Sequence, residues 1–233
     1  MSEGLVSDGL VSGGPVPGAP PARLYDYVTD PAEIYRRSFA QVRAEADLSG
    51  LPADARTVAV RMIHASGDLD LPRSLALHPR LVGAARGALE AGATIFTDAY
   101  MIASGVTRRR LPAANAVRCL LDDPRVPERA RAWSTTRSAA AVSFWGEELE
   151  GAVVAIGNAP TALFHLLEQV AAGGPRPAAV LGIPVGFVGS AESKVALVEN
   201  PWDLPYLVVH GRRGGSALCA SALNALAQEA EIA

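Results

Sequence analysis

The sequence predicts a three-layer α/β/α domain, with a mostly parallel sheet and an added helical portion at the N-terminus. Two observations carry this reading. Apolar runs of strand length recur along the chain, "ATIFTD", "NAVRCLL", "AVVAIG", "AAVLGIPV" and "PYLVVHG". They are apolar at nearly every position, as strands are when both faces of a sheet are covered. Helical patterns separate them, at roughly 125–149, 160–172, 190–199 and 216–229. Strands alternating with helices give parallel pairing, because each return to the same edge of the sheet needs a crossover. No internal repeat is present.

The elements follow in order. Residues 1–22, "MSEGLVSDGLVSGGPVPGAPPA", are dominated by Gly, Pro, Ser and Ala and read as a disordered extension. They lack the basic start and continuous apolar core of a signal peptide. The remainder, 23–233, is of a length that suits a single domain. Its first helix begins at "TDPAEIYRRSFAQVRAEADL", where Asp30 can cap, Pro31 fits the first turn and Glu33 favours the helix dipole. A second helix is expected from about Asp54 to Ala65, with Val58, Met62 and Ile63 inward and His64 near its end. "PRLVGAARGALEAG" is a third, closed by glycine. After the "ATIFTD" strand, "AYMIASGV" is helical or looped.

Composition narrows the function classes. The chain of 233 residues is 49% hydrophobic and 19% charged, enough apolar material for a full core. A net charge of -3 and the lack of a basic block argue against a nucleic-acid partner. No apolar run reaches membrane-spanning length. Cys119 and Cys219 are far apart, so neither a disulfide framework nor a zinc site is expected, and a reducing, cytoplasmic location fits. Of 21 basic residues only Lys194 is lysine. Coding bias explains that as well as chemistry does, although the arginine fork does suit carboxylates.

In open parallel sheets, ligands bind beyond the carboxyl ends of the strands. That rule selects "FTDAYM", "AIGNAPTA", "GIPVGFVGSAESK" and "VHGRRGGSA". In the second, Asn158 or Thr161 opens a helix whose N–H groups could meet an anion, or it is ordinary turn chemistry. The third has glycines before a helix but matches neither GxxxxGK[ST] nor GxGxxG, so a nucleotide or flavin site is poorly supported. In the fourth, Arg212 and Arg213 precede two glycines and a helix start, which suits a polycarboxylate. A solvated turn is the ordinary alternative.

Arg108, Arg109 and Arg110 are consecutive, so at least one is surface charge. Arg137, in "WSTTRSAAA", borders a close-packed face and needs either a ligand carboxylate or an internal ion pair. No metal-ligand spacing and no GxSxG elbow occur. His64, in "RMIHASGD", is either a core histidine with a hydrogen bond or a proton-transfer group. From the residues alone the chain is an α/β enzyme or binder for an anionic ligand.

Seven stretches together point further. "YDYVTDPAEIYRRSFAQVRAEADL", "VAVRMIHASGD", "VTRRRLPAAN", "TRSAAA", "VVAIGNAPTALFHLLE", "LGIPVGFVGSAESK" and "GRRGGSA", in this order, resemble the precorrin-8X methylmutase family of corrin biosynthesis over about residues 24–228. The resemblance implies a flavodoxin-like fold and a homodimer. It also implies a cofactor-free isomerase that moves a methyl group from C-11 to C-12 of a tetrapyrrole polycarboxylate, giving hydrogenobyrinate. It assigns the acid/base role to His64 and substrate contact to Ser38, with Arg137 as a further contact; Arg212, Arg213, Asn158 and Thr161 rest on chemistry alone. Ser66 stands where the family often has cysteine, and "DLDLPRSLALHP" is less typical. Two other readings are a cobalt-precorrin-8 methylmutase and a non-catalytic corrin carrier.

Overall fold

The computed structural model describes residues 23–230, together with Gly18 and Pro20. The expected disordered extension over 1–22 therefore lies almost entirely outside the described residues. Helix α1, Pro31–Glu45, starts as predicted: the Asp30 carboxylate accepts the Ala32 N–H at 3.0 Å, and Pro31 occupies a position where an N–H would have no partner. A single 3-10 turn at Ala53–Ala55 leads into α2, Arg56–Ser66. Helix α2 stops at Gly67, whose φ of 67° is left-handed and suits glycine.

Six short strands form one sheet: β1 Leu75–Leu77, β2 Ile95–Thr97, β3 Val117–Arg118, β4 Val153–Ile156, β5 Ala179–Gly182 and β6 Tyr206–Val209. Their spatial order is β1-β6-β5-β4-β2-β3. All neighbours from β6 to β3 are parallel, whereas β1 runs antiparallel to β6, with Leu75 opposite Val209. The remaining helices are α3 Leu81–Glu90, α4 Tyr100–Gly105, α5 Val126–Ala132, α6 Arg137–Val142, α7 Pro160–Ala171, α8 Ser190–Val198 and α9 Ser216–Ala227.

The strand residues are divided between two cores by the period of two. Val153, Ala155, Leu181, Leu207 and Val209 join Met62, Ile63, Leu81, Leu89 and Leu223 on one face. Val154, Ile156, Val180 and Val208 join Leu163, Leu166 and Leu197 on the other, where Phe96 stacks on Trp145 with ring centroids 5.0 Å apart. This is the three-layer arrangement. Helix α2 belongs to it as well, packing along α9, so the N-terminal helices complete one layer.

Two elements differ from expectation. The pattern over 125–149 is two helices and a 3-10 turn rather than one helix. Ser134 takes a φ of 50°, and the Thr136 hydroxyl accepts the Ala139 N–H at 3.2 Å, starting α6 anew. Thr136 favours this cap over a helix interior because its side chain competes for backbone donors. Strand β1 was not foreseen either. It is three half-buried residues between Pro72 and Pro79, too short to show alternation.

Candidate functional site

Helices α1 and α2 face each other so that Ser38 and His64 meet, with Ser38 Oγ 2.7 Å from His64 Nδ1. The imidazole sits among aromatic rings, with its centroid 5.3 Å from that of Tyr35 and 4.9 Å from that of Phe39. Burial, and then the Arg61 guanidinium one turn earlier, hold the His64 pKa below the ordinary value of 6.5. The neutral ring is therefore its resting form near pH 7. A recess of about 240 Å³ opens beside it, lined in part by Ser38, Gln41, Glu45, Gly67 and Leu69. That is smaller than the about 300–1,000 Å³ of pockets that enclose a whole drug-sized ligand. The recess can take the edge of a large flat molecule but not its whole body.

The loop after β6 is paired to the turn beside this recess. Arg213 pairs with Asp68 at 3.1 Å, and Asp68 follows His64 by four residues. The neighbouring Arg212 lies over the Phe187 ring, 5.0 Å from its centroid. Phe187 and Val188 are 81% and 88% exposed, forming an apolar surface at the end of β5. The two loops are tied together: Gly186 N–H donates to the Arg212 carbonyl at 3.3 Å, and Gly215 N–H to that of Ile183 at 2.8 Å. Gly214 cannot be another residue without rearrangement, because a Cβ there would collide with the Ile183 and Pro184 carbonyls. Through Asp68, Arg213 is thus joined to the turn between Gly67 and Leu69 that lines the recess, while Arg212 is joined to the loop after β5.

The other predicted residues form a second group, also at the carboxyl ends of the strands. Thr161 Oγ1 lies 2.7 Å from Thr136 Oγ1. Arg137 has found an internal partner, donating to the Leu121 carbonyl at 3.0 Å and to Asp122 at 3.1 Å, while its side chain stays over half exposed. Asn158 is exposed at the turn after β4.

At Gly157, Asn158 and Ala159 the amides of this turn are taken by Asp98, the turn chemistry that the sequence also allowed. The chain steps outward from β2 to β3 on one side and from β4 to β5 and β6 on the other, so the order reverses between β2 and β4. Such a crevice is where open α/β sheets take their ligands. Here the Asp98 carboxylate, 4% exposed, fills it and accepts the N–H groups of Gly157, Asn158 and Ala159 at 3.0, 3.0 and 2.6 Å. Burial pushes its pKa up, against the pull of those bonds. The anion at the start of α7 is the protein's own.

Arg110 resolves the arginine run. It is buried and donates to the carbonyls of Asn224, Gln228 and Ala230, closing the C-terminal end of α9. A wider groove of about 720 Å³, bordered by Arg80, Arg176 and Trp202, lies at the amino ends of β4, β5 and β6. That is the wrong end of the sheet for a site of this class. Among the described residues no helix is long and apolar enough to cross a membrane.

The geometry can be set beside known proteins. A family model described as Precorrin-8X methylmutase matches residues 33–229. The chain belongs to this family. It is an isomerase by that membership. A precorrin-8X methylmutase of Sinorhizobium sp is 57% identical over 88% of this chain and 97% of its own. That of Pseudomonas aeruginosa is 56% identical over 89% of this chain and all of its own. A crystal structure of the enzyme from Thermus thermophilus superposes with a TM-score of 0.77 at 44% identity, covering 84% of this chain and 94% of that one. A relative named cobalt-precorrin-8 methylmutase, from Salmonella typhimurium, stands further off at 40% over 71% of this chain and 77% of its own.

Proposed function

We propose that this chain is a precorrin-8X methylmutase of the metal-free route, moving the C-11 methyl group of the macrocycle to C-12 to give hydrogenobyrinate. The carrying observation is His64, held by Ser38 at a recess beside an apolar, arginine-bordered surface. A flat polycarboxylate ring fits that description: its face rests on Phe187 and Val188, its side chains reach Arg212 and Arg213, and one edge enters the recess. Arg137, Asn158 and Thr161 serve the far rim. The identities of 56–57% to precorrin-8X enzymes, against 40% to the cobalt-precorrin-8 enzyme of Salmonella typhimurium, support the metal-free substrate. The enzyme works as a homodimer in the cytoplasm, a reading that rests on the family resemblance.

No strong nucleophile is needed for the shift. The imidazolium of His64 gives a proton from Nε2 to the conjugated system near ring C, the methyl group moves between adjacent carbons, and the proton returns. Atoms balance, and no cofactor is consumed. The Ser38 hydroxyl can donate to Nδ1 of the neutral ring and accept from Nδ1–H of the cation, so it orients both forms.

An absorbance time course with metal-free precorrin-8X tests the function. Conversion to an orange corrin is expected with the wild type. Binding spectra without conversion would make the chain a carrier, and turnover of the cobalt complex alone would move it to the other branch of the family. Ser38→Ala should lower kcat about tenfold, the net worth of one hydrogen bond in the transition state, with little change in KM. Steady-state rates of Ser38→Ala, His64→Ala and the double variant check this. The double variant should be no slower than His64→Ala, because Ser38 acts through the ring.

A further inference from the structure

Lys194 is the only lysine in the chain. It lies in α8, and its side chain is completely buried. A lysine rarely accepts such a place without a carboxylate. Here Nζ donates instead to two backbone carbonyls of the loop after β6, those of Gly211 at 2.9 Å and Arg213 at 2.5 Å. Both bonds land within the segment that carries Arg212 and Arg213. The loop's glycines Gly211, Gly214 and Gly215 all have positive φ, at 71°, 156° and 122°, and the Lys194 bonds add to the ties it makes to Ile183, Gly186 and Asp68. Residues 210–213 are exposed, yet their backbone is tethered from within.

We infer that Lys194 is a positioning residue: its ammonium pins the Gly211–Arg213 backbone so that Arg212 lies over Phe187 and Arg213 beside Asp68, at the mouth of the His64 recess. The inference rests on the proposed function for the carboxylate that these arginines meet. The tether itself does not depend on it. An ammonium suits the task because it is a compact donor with several N–H groups, while a planar guanidinium would need more room. Burial lowers its pKa from 10.5 to about 8, the cost of using a charge where a neutral donor would bind the carbonyls less strongly. Lys194 reaches no part of the recess directly, so it sets how well substrate is held rather than how fast the held substrate reacts.

Lys194→Met, of similar length and apolar, tests this in the full-length enzyme through two readouts. The first needs no substrate: limited trypsin digestion, with fragments identified by mass spectrometry. Cleavage after Arg212 or Arg213 should accelerate roughly tenfold or more, because a protease cuts a backbone in proportion to its freedom to open. The second is kinetic: KM should rise about tenfold with kcat within about twofold, the signature of lost ground-state binding. Lys194→Arg keeps charge and donors but needs more room, so it should recover only part of each. Unchanged cleavage in Lys194→Met would overturn the tether, and so would failure of that variant to fold, which would make Lys194 a requirement of the whole core. Faster cleavage with unchanged KM, in a wild type that turns over precorrin-8X, would overturn the link to substrate. A wild type without turnover would count against the proposed function, and the digestion would still decide the tether.

Discussion

His64→Ala is expected to lose about 10²–10⁴-fold in turnover of metal-free precorrin-8X, the range that general acid catalysis supplies. The structure sharpens this expectation in two ways. Tyr35 and Phe39 pack about the ring, and Ser38 holds Nδ1, so the imidazole is oriented before substrate arrives. Its pKa is lowered by burial and by Arg61, which makes the cation a stronger acid but a scarcer one near pH 7. Acid catalysis by His64 then requires kcat/KM to rise as pH falls through 7, and to level off only below the lowered pKa. A flat profile from pH 8 to 6 would assign the work to the neutral ring as a hydrogen-bond donor. Retention of full turnover by His64→Ala would remove the residue from the chemistry. Binding, read from the absorbance change on mixing, should survive the substitution, because a recess of about 240 Å³ holds only an edge of the ring.

Stability follows the same group with its own sign. The folded pKa of His64 lies below its unfolded value of 6.5, so between the two the unfolded chain binds more protons. Folding is therefore disfavoured as pH falls through 6.5, and His64→Gln should flatten that part of the profile.

Much of the fold was legible in the sequence, and less of the contacts at the candidate site, for physical reasons that differ by residue. The strands were visible because a sheet covered on both faces needs apolar side chains at every position, as in Val153–Ile156, all four of them buried. The Asp30 cap was visible because it acts within three residues. His64 and Ser38 were named by resemblance, while their contact spans 26 positions and no local pattern announces it. Asp98 lay in the selected "FTDAYM" junction without a role, because its partners arrive from the turn 60 residues on. Lys194 was equally hidden: one lysine in a helical pattern reads as exposed charge until its carbonyl partners are in place. Local rules reveal elements and caps, whereas the groups that close a loop over distance need the tertiary fold.

Asp98→Ala is expected to cost more stability than any surface change at the site, about 3 kcal/mol or more, because it leaves three backbone N–H groups with no acceptor in a buried crevice. The space offers no easy replacement. A Cβ on Gly157 would stand 2.7 Å from that of Cys219, so α9 already presses against the turn, and a bridging water would have to occupy the volume of the lost carboxylate. Asp98→Asn separates charge from shape. Its amide keeps one oxygen but turns an NH₂ toward donors, so it should be nearly as damaging as Asp98→Ala despite its size. Chemical denaturation of the three proteins decides this. An asparagine variant close to the wild type would mean that a single acceptor is enough for the turn. If both variants unfold early, the crevice at which open α/β sheets usually take a ligand is here committed to the fold.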